Sequence, residues 1–222
     1  MHFTIQNTYV CIVCLSFLAS LLSFKYRYSV HLKLFSGLLG ITTLVEILSV
    51  FIVVPVLHRK TNSDIYNVFM GIEFECYAFF YYQIIIIPWI RKLIKIFLYV
   101  FPFFWAVSVF FIVGLKHWNN YLVITGGASS VLFSLAYYYQ ILKSQKDIVL
   151  FSHAEFWIAT GMLIFYSSQV PYFGMLNYLV KKNLLLARSL LPVLQVVDAV
   201  MYLFFIYAFI CPIIPQTQKK SQ

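Results

Sequence analysis

Seven apolar stretches, each approaching the roughly 20 residues that ~30 Å of hydrocarbon requires, occupy nearly the whole chain and are separated by short basic connections. Apolar residues reach 62% and come in blocks, not in the half-polar rhythm of a surface helix, so the solvent for most side chains is lipid. Backbone groups in hydrocarbon must find partners inside their own segment, and the strict alternation of a barrel strand is absent. The expected fold class is therefore all-α: a polytopic membrane protein, a single seven-transmembrane-helix bundle over 1–222. Helices are expected at about residues 5–24, 34–57, 65–89, 96–115, 121–142, 156–179 and 184–212.

No hydrophilic segment is long enough for a kinase, nuclease or extracellular module, so any output leaves through short loops or a partner. The formal charge of +9 is not a nucleic-acid signature, because Lys and Arg sit at helix ends, where they set topology and meet lipid headgroups. Lys25, Arg27, Lys33, Arg91, Lys92, Lys95, Lys143, Lys146, Lys219 and Lys220 fall on one side. Arg59, Lys60, Lys116, Lys181, Lys182 and Arg188 fall on the other. Ten against six makes the first side cytoplasmic, with the N-terminus outside and the C-terminus inside. The first positive charges, Lys25 and Arg27, follow the first apolar run, so that run is expected to be a retained helix and not a signal peptide. Trp118 and Tyr121 then mark the outer interface and Trp89 and Trp157 the inner one.

The acids inside the spans carry the functional reading. Glu46, Glu73, Glu75 and Asp198 each cost roughly 2.5–3.5 kcal/mol at the centre of a spanning helix, so they should face protein or water. Asn67, Gly71 and Glu75 share one helix face, as do Thr42, Glu46 and Ser49, and Gln195, Asp198 and Tyr202. Glu46, Glu73, Glu75, Asp198, Gln195, Asn67 and Tyr202 are thus candidates for one polar chamber for a ligand or ion in helices 2, 3 and 7. Glu73 and Glu75 stand about 200° apart around a helix, so only one of them can face it. No Lys or Arg lies deep in a span, which leaves the acids protonated, hydrogen-bonded or neutralised by a bound cation. The competing reading is that these polar groups only bind helices to one another.

Enzyme and cofactor chemistry finds no support. A retinal site needs a lysine within a span, and the seventh helix has none. His31, His58, His117 and His153 lie at helix ends on both sides, which does not suit an intramembrane zinc site, although His153 and Glu155 near His31 form a weak inner-face cluster. Cys11 and Cys14 form a C-x-x-C without flanking charge, read as packing. No metal, cofactor or nucleic-acid partner is expected.

Helices 2 and 6 each open on a histidine (His31, His153), carry an early glycine (Gly37, Gly161) and meet a later proline (Pro55, Pro171). Helices 3 and 7 each hold an acid (Glu75, Asp198) followed by an aromatic tail (Tyr77 to Tyr82, Tyr202 to Tyr207). The pattern suggests a 3+1+3 parallel repeat about helix 4. The stretch His153 to Tyr172, with Phe156-Trp157, Gly161 and Phe165-Tyr166-Ser167, and the opening Tyr66-Asn67 leading to Ile72-Glu73-Phe74 resemble small uncharacterised seven-helix proteins of Bacteroidota. That resemblance implies a bacterial inner-membrane protein and carries no assigned activity. Architecture also resembles the sugar-transporting PQ-loop group, but the Pro-Gln pairs of that group are missing from the helices, Pro215-Gln216 lying in the tail. The function expected is a receptor-like sensory module that signals to a separate cytoplasmic protein. A small proton- or cation-coupled transporter and a structural subunit of a larger membrane complex are the alternatives.

Overall fold

The computed structural model describes residues 2–26, 28–53, 61–144 and 150–213, with side chains from residue 7 to residue 212. Among them there is no strand. The seven long helices are α1 (His2–Ser20, resuming for one turn at Leu22–Lys25), α2 (Val30–Ile47), α3 (Ser63–Ile84), α4 (Pro88–Val107), α5 (Asn120–Lys143), α6 (Ala154–Lys182) and α7 (Leu184–Ile210). The runs ending α2 and α4, Leu48–Val53 and Ser108–Val113, widen into π-helical turns. Five helical stretches are long and apolar enough to cross a membrane: Asn7–Lys25, Val30–Val53, Pro88–Val113, Asn120–Lys143 and Leu184–Ile210. The other two helices, α3 and α6, are long enough but carry more polar residues, among them Asp64, Glu73 and Glu75, or Glu155 and Gln169.

The helices form a ring in the order α1, α2, α3, α5, α6, α7, closed by α1 against α7, while α4 lies outside along α3 and touches α5 little. Antiparallel neighbours follow from the short turns, and side-chain contacts mark the two ends. At one end His31 of α2 meets Glu155 of α6, and the Tyr28 hydroxyl donates to the Phe209 carbonyl of α7. At the other end Trp118 contacts Tyr66 and stacks on Phe173.

One boundary differs from the sequence-based expectation. The sequence pattern puts the α3–α4 connection at the basic stretch after residue 89, but the chain turns at residues 85–87. Ile85 and Ile87 are extended because Ile87 precedes Pro88, which disfavours helical backbone before it and itself suits a first helical turn. The Gln140 side chain holds the turn, accepting from the Ile86 N–H at 2.6 Å and donating to the Ile84 carbonyl at 3.0 Å. Arg91, Lys92 and Lys95 therefore lie on α4.

The core is aromatic. Phe35 touches the rings of Tyr77, Phe80, Phe205 and Phe209, joining α2, α3 and α7. Tyr81 joins three helices, its hydroxyl lying 2.6 Å from Ser134 Oγ of α5 and 3.6 Å from Met162 Sδ of α6. Small residues let α5 approach: a Cβ on Gly126 would stand 2.2 Å from the Phe74 ring, and one on Gly127 would meet Val170 at 2.8 Å. Of the repeat landmarks, Gly161 packs on Met201 and Phe204, whereas Gly37 has nothing within 4 Å of an added Cβ. Pro55 lies outside the described residues.

Across the His31 end, His31 Nε2 and Glu155 Oε1 are 2.9 Å apart, and Ser29 Oγ lies 3.0 Å from the same nitrogen. An ionised carboxylate only accepts, so Nε2 carries the shared proton. Burial works to raise the Glu155 carboxyl, which lies ahead of the apolar stretch of α6. The His31 hydrogen bond, a backbone hydrogen bond and the charges of His31 and His153 outweigh it and hold the carboxyl below its ordinary value. The folded state therefore binds this proton less readily than the unfolded chain. The stability it contributes is present above the unfolded value of about 4.3 and is lost as pH falls through the folded one. Glu155→Gln is expected to unfold at lower temperature than the parent in detergent at pH 7, by on the order of 0.5–1 kcal/mol, with the gap closing below about pH 4. A gap that persists at pH 3 would show that the carboxylate charge is not its source.

Candidate functional site

A cavity of about 240 Å³ lies inside the ring toward the Trp118 end. Its wall includes Glu46 from α2, Glu73 from α3, and Gln195, Asp198 and Tyr202 from α7. These are the acids and polar groups that the sequence pattern assigns to one chamber, with two exceptions. Glu75 is not on the wall; it faces away from Glu73, as the helical angle requires, and its Oε1 is buried without a partner among the described residues. Asn67 is not on the wall either. Its side-chain amide nitrogen donates to the Leu115 and His117 carbonyls at 2.9 and 2.7 Å, and its backbone carbonyl accepts from the Trp105 indole at 2.8 Å. The polar stripe of Asn67 and Glu75 thus does not line the chamber, because Asn67 meets loop carbonyls there.

Asn67 still matters for the site as a positioning residue. It ties α3 to the α4–α5 connection, where Gly114 adopts a φ of +85°, a conformation that a side chain would strain. Asn119 completes the connection, donating to Ser108 Oγ at 2.7 Å and capping α5 through the Leu122 N–H. The result holds Trp118 over Tyr66 at the rim of the cavity. Trp118 is therefore a wall residue, in addition to standing at the end of the bundle where an interface tryptophan is expected.

Tyrosines organise the acids. Glu46 is 7% exposed and accepts from two phenols, Tyr9 at 3.3 Å on Oε1 and Tyr66 at 3.0 Å on Oε2. Glu73 Oε1 accepts from Tyr77 at 2.9 Å and Tyr166 at 3.5 Å, leaving Oε2 without a donor among the described residues. Asp198 faces the same Tyr9 hydroxyl that Glu46 uses. It lies deep in the bundle, yet it keeps free surface because it borders the cavity. Gln169 and Gln195 also reach the wall, and neither amide is hydrogen-bonded to the described residues. Among the described residues, no Lys, Arg or His lines the cavity. The sequence pattern does not assign Tyr9, Tyr66, Tyr166, Gln169 or Trp118 to the chamber, because a tyrosine in an apolar run looks the same whether it packs or lines a site, and Trp118 reads there only as an interface marker.

The lining runs from Val50, Trp118 and Gln195 near one end to Glu73, Met201 and Tyr202 at mid-bundle. Toward the His31 end the space is filled by buried Phe35, Tyr77, Tyr81 and Phe205. Val50 belongs to the π-helical end of α2, the kind of irregular turn often found beside binding sites. Among the described residues no three His, Cys, Asp or Glu side chains converge closely enough to hold a metal ion. What the wall offers is a set of separated carboxylate acceptors, two free amides and aromatic faces, a chemistry suited to an organic cation bearing N–H donors.

No protein-family model matches the chain, and comparison with curated proteins and with solved structures gives no match.

Proposed function

We propose that the protein is a seven-spanning receptor that binds a small organic cation in this chamber and signals to a separate cytoplasmic protein. The observation that carries the reading is a cavity walled by three carboxylates with no cationic side chain among the described residues that line it. Buried acids without a basic partner are costly, and a bound ammonium group offsets that cost through charge and N–H donation. At about 240 Å³ the space lies just below the usual range for drug-sized ligands, which favours a compact amine. Phenol donors on Glu46 and Glu73 orient both carboxylates before a ligand arrives, which lowers the cost of ordering them on binding.

The basic residues of the His31 end support placing that end in the cytoplasm of a bacterial cell, with the chamber open to ligands from outside. The ring order α1-α2-α3 followed by α5-α6-α7 is one that a two-fold exchange of the halves preserves, which supports a 3+1+3 plan. The aromatic floor beneath the chamber favours a receptor over a transporter, since transport requires the site to reach the other side. Cation-coupled transport is the second reading and rests on the same acids. Vesicles containing the purified protein distinguish the two. A receptor binds labelled alkylammonium ions saturably without accumulating them, whereas gradient-driven accumulation that is lost in Asp198→Asn would establish transport and overturn the receptor reading.

A further inference from the structure

The outward placement of α4 leaves a second concavity on the lipid-facing side, independent of the chamber. Because α4 lies along α3 and touches α5 little, a cleft of about 550 Å³ opens between α4 and α5. Its floor is Phe97 against Phe133, ring centroids 5.5 Å apart, and its mouth is formed by Trp89 and Tyr139. From residue 89 to residue 97 the helix rises roughly 12 Å, so the cleft is an elongated slot along the bundle wall. Its lining is almost wholly apolar, and Trp89, Leu93 and Leu132 are more than half exposed.

An apolar slot on a membrane protein faces lipid wherever it lies; the charges at this mouth make it selective. Tyr139 and Lys143 continue the α5 stripe that lines the slot, and Lys143 Nζ lies 6.0 Å from the Tyr139 ring centre. Lys92 stands one turn on from Trp89, and Lys95 follows it. Side chains lean toward the N-terminus of their helix, so Lys92, beside the slot-lining face, leans back toward the mouth, whereas Lys95 stands on the opposite side of α4. Neither Lys92 nor Lys143 has a carboxylate partner among the described residues, where the one ion pair is His31 with Glu155. The cationic head of Arg91 sits 4.4 Å above the Tyr82 ring, and its Nε is buried without an acceptor among the described residues. An uncharged tail therefore fits the slot, and an anionic head fits its rim.

The geometry points to a specific site for an anionic phospholipid, one acyl chain in the α4–α5 slot and its phosphate against Lys92 and Lys143. The occupant is a membrane lipid and not a soluble anion, because a free phosphate has no use for the apolar slot. The inference rests on the helices lying in a bilayer and does not depend on what the chamber binds.

Native mass spectrometry of the purified full chain, equilibrated with equal amounts of phosphatidylglycerol and phosphatidylcholine, tests it. The parent protein should retain phosphatidylglycerol preferentially. The double variant Lys92→Gln/Lys143→Gln should lower that retention roughly tenfold or more, as loss of two lysines near an anionic headgroup implies. Ala136→Trp, which fills the slot without changing charge, should reduce retention of both lipids. Lys181→Gln/Lys182→Gln, altered at the opposite end, should behave as the parent. Equal retention of the two lipids by the parent would overturn the assignment. So would a loss in the Lys181/Lys182 variant as large as in the Lys92/Lys143 variant, since attraction would then be diffuse. Unchanged retention by Ala136→Trp, with folding verified by thermal scan, would overturn the slot as the place of binding.

Discussion

Asp198→Asn is expected to weaken binding of a small ammonium ligand by about 30-fold or more while leaving the empty bundle as stable as the parent or more stable. The first effect follows from removing one partner of a buried charge pair, a loss of about 2–5 kcal/mol. The second follows from what holds Asp198 in place. Its neighbour is the Tyr9 hydroxyl, which already serves Glu46, and the other acidic groups lining the cavity among the described residues are Glu46 and Glu73, with no basic one. Removing a like charge from that company relieves repulsion, and substitutions at sites kept for function commonly gain on the order of 1 kcal/mol. Glu46→Gln should differ in sign. Both Glu46 oxygens accept phenol protons, and an amide accepts on one atom alone, so one hydrogen bond worth about 1 kcal/mol is lost. If polar residues in this layer served only to bind helices together, both variants would lower the unfolding temperature and neither would affect a ligand.

Gly126→Val is expected to be the most damaging single change in the bundle. An added Cβ would lie 2.2 Å from the Phe74 ring, inside any tolerable contact, and valine adds two further methyl groups there. Phe74 has little freedom to move: it is 2% exposed and packed edge-on or tilted against Tyr77, Phe101 and Tyr166. Overpacking of this kind costs about 1–3 kcal/mol for a modest insertion, and the present overlap lies at or beyond that range. The consequence reaches the chamber, because Phe74 and Tyr166 are both wall residues and Tyr166 donates to Glu73. Thermal unfolding in detergent should show a large loss for Gly126→Val and partial recovery in Gly126→Val/Phe74→Ala, where the space is returned. A parent-like unfolding temperature for the single variant would mean that α5 does not approach α3 as described.

The positions of the seven helices were legible because apolar block length is a direct consequence of bilayer thickness. The chamber was partly legible for a related reason: an acid in an apolar run must turn inward, so Glu46, Asp198 and one of Glu73 and Glu75 had to meet in the interior. Choosing Glu73 was not possible from helical angle alone, since that angle separates the two without saying which side the neighbours occupy. Asn67 was placed in the chamber on stripe periodicity and belongs instead to the α4–α5 connection, whose carbonyls sit nearly fifty residues away in the chain. The tyrosines that orient the acids carried no signal of their own, because Tyr9, Tyr66 and Tyr166 differ from packing residues only in where their hydroxyls point. The early start of α4 was in principle readable from Pro88, a residue suited to a first helical turn, but apolarity through Ile90 masked it. The π-helical ends of α2 and α4 leave no local pattern that composition would reveal.

On the proposed reading, the chamber recognises positive charge on a compact amine. Calorimetric titration of the purified protein with a series of primary alkylammonium ions, each paired with the alcohol of the same shape, tests it most directly. Saturable binding of one size range of ammonium ions is predicted, with no measurable heat from the matching alcohols and loss of the signal in Asp198→Asn. Equal binding of an ammonium ion and its neutral counterpart, or ammonium binding that Asp198→Asn and Glu73→Gln leave intact, would contradict the account.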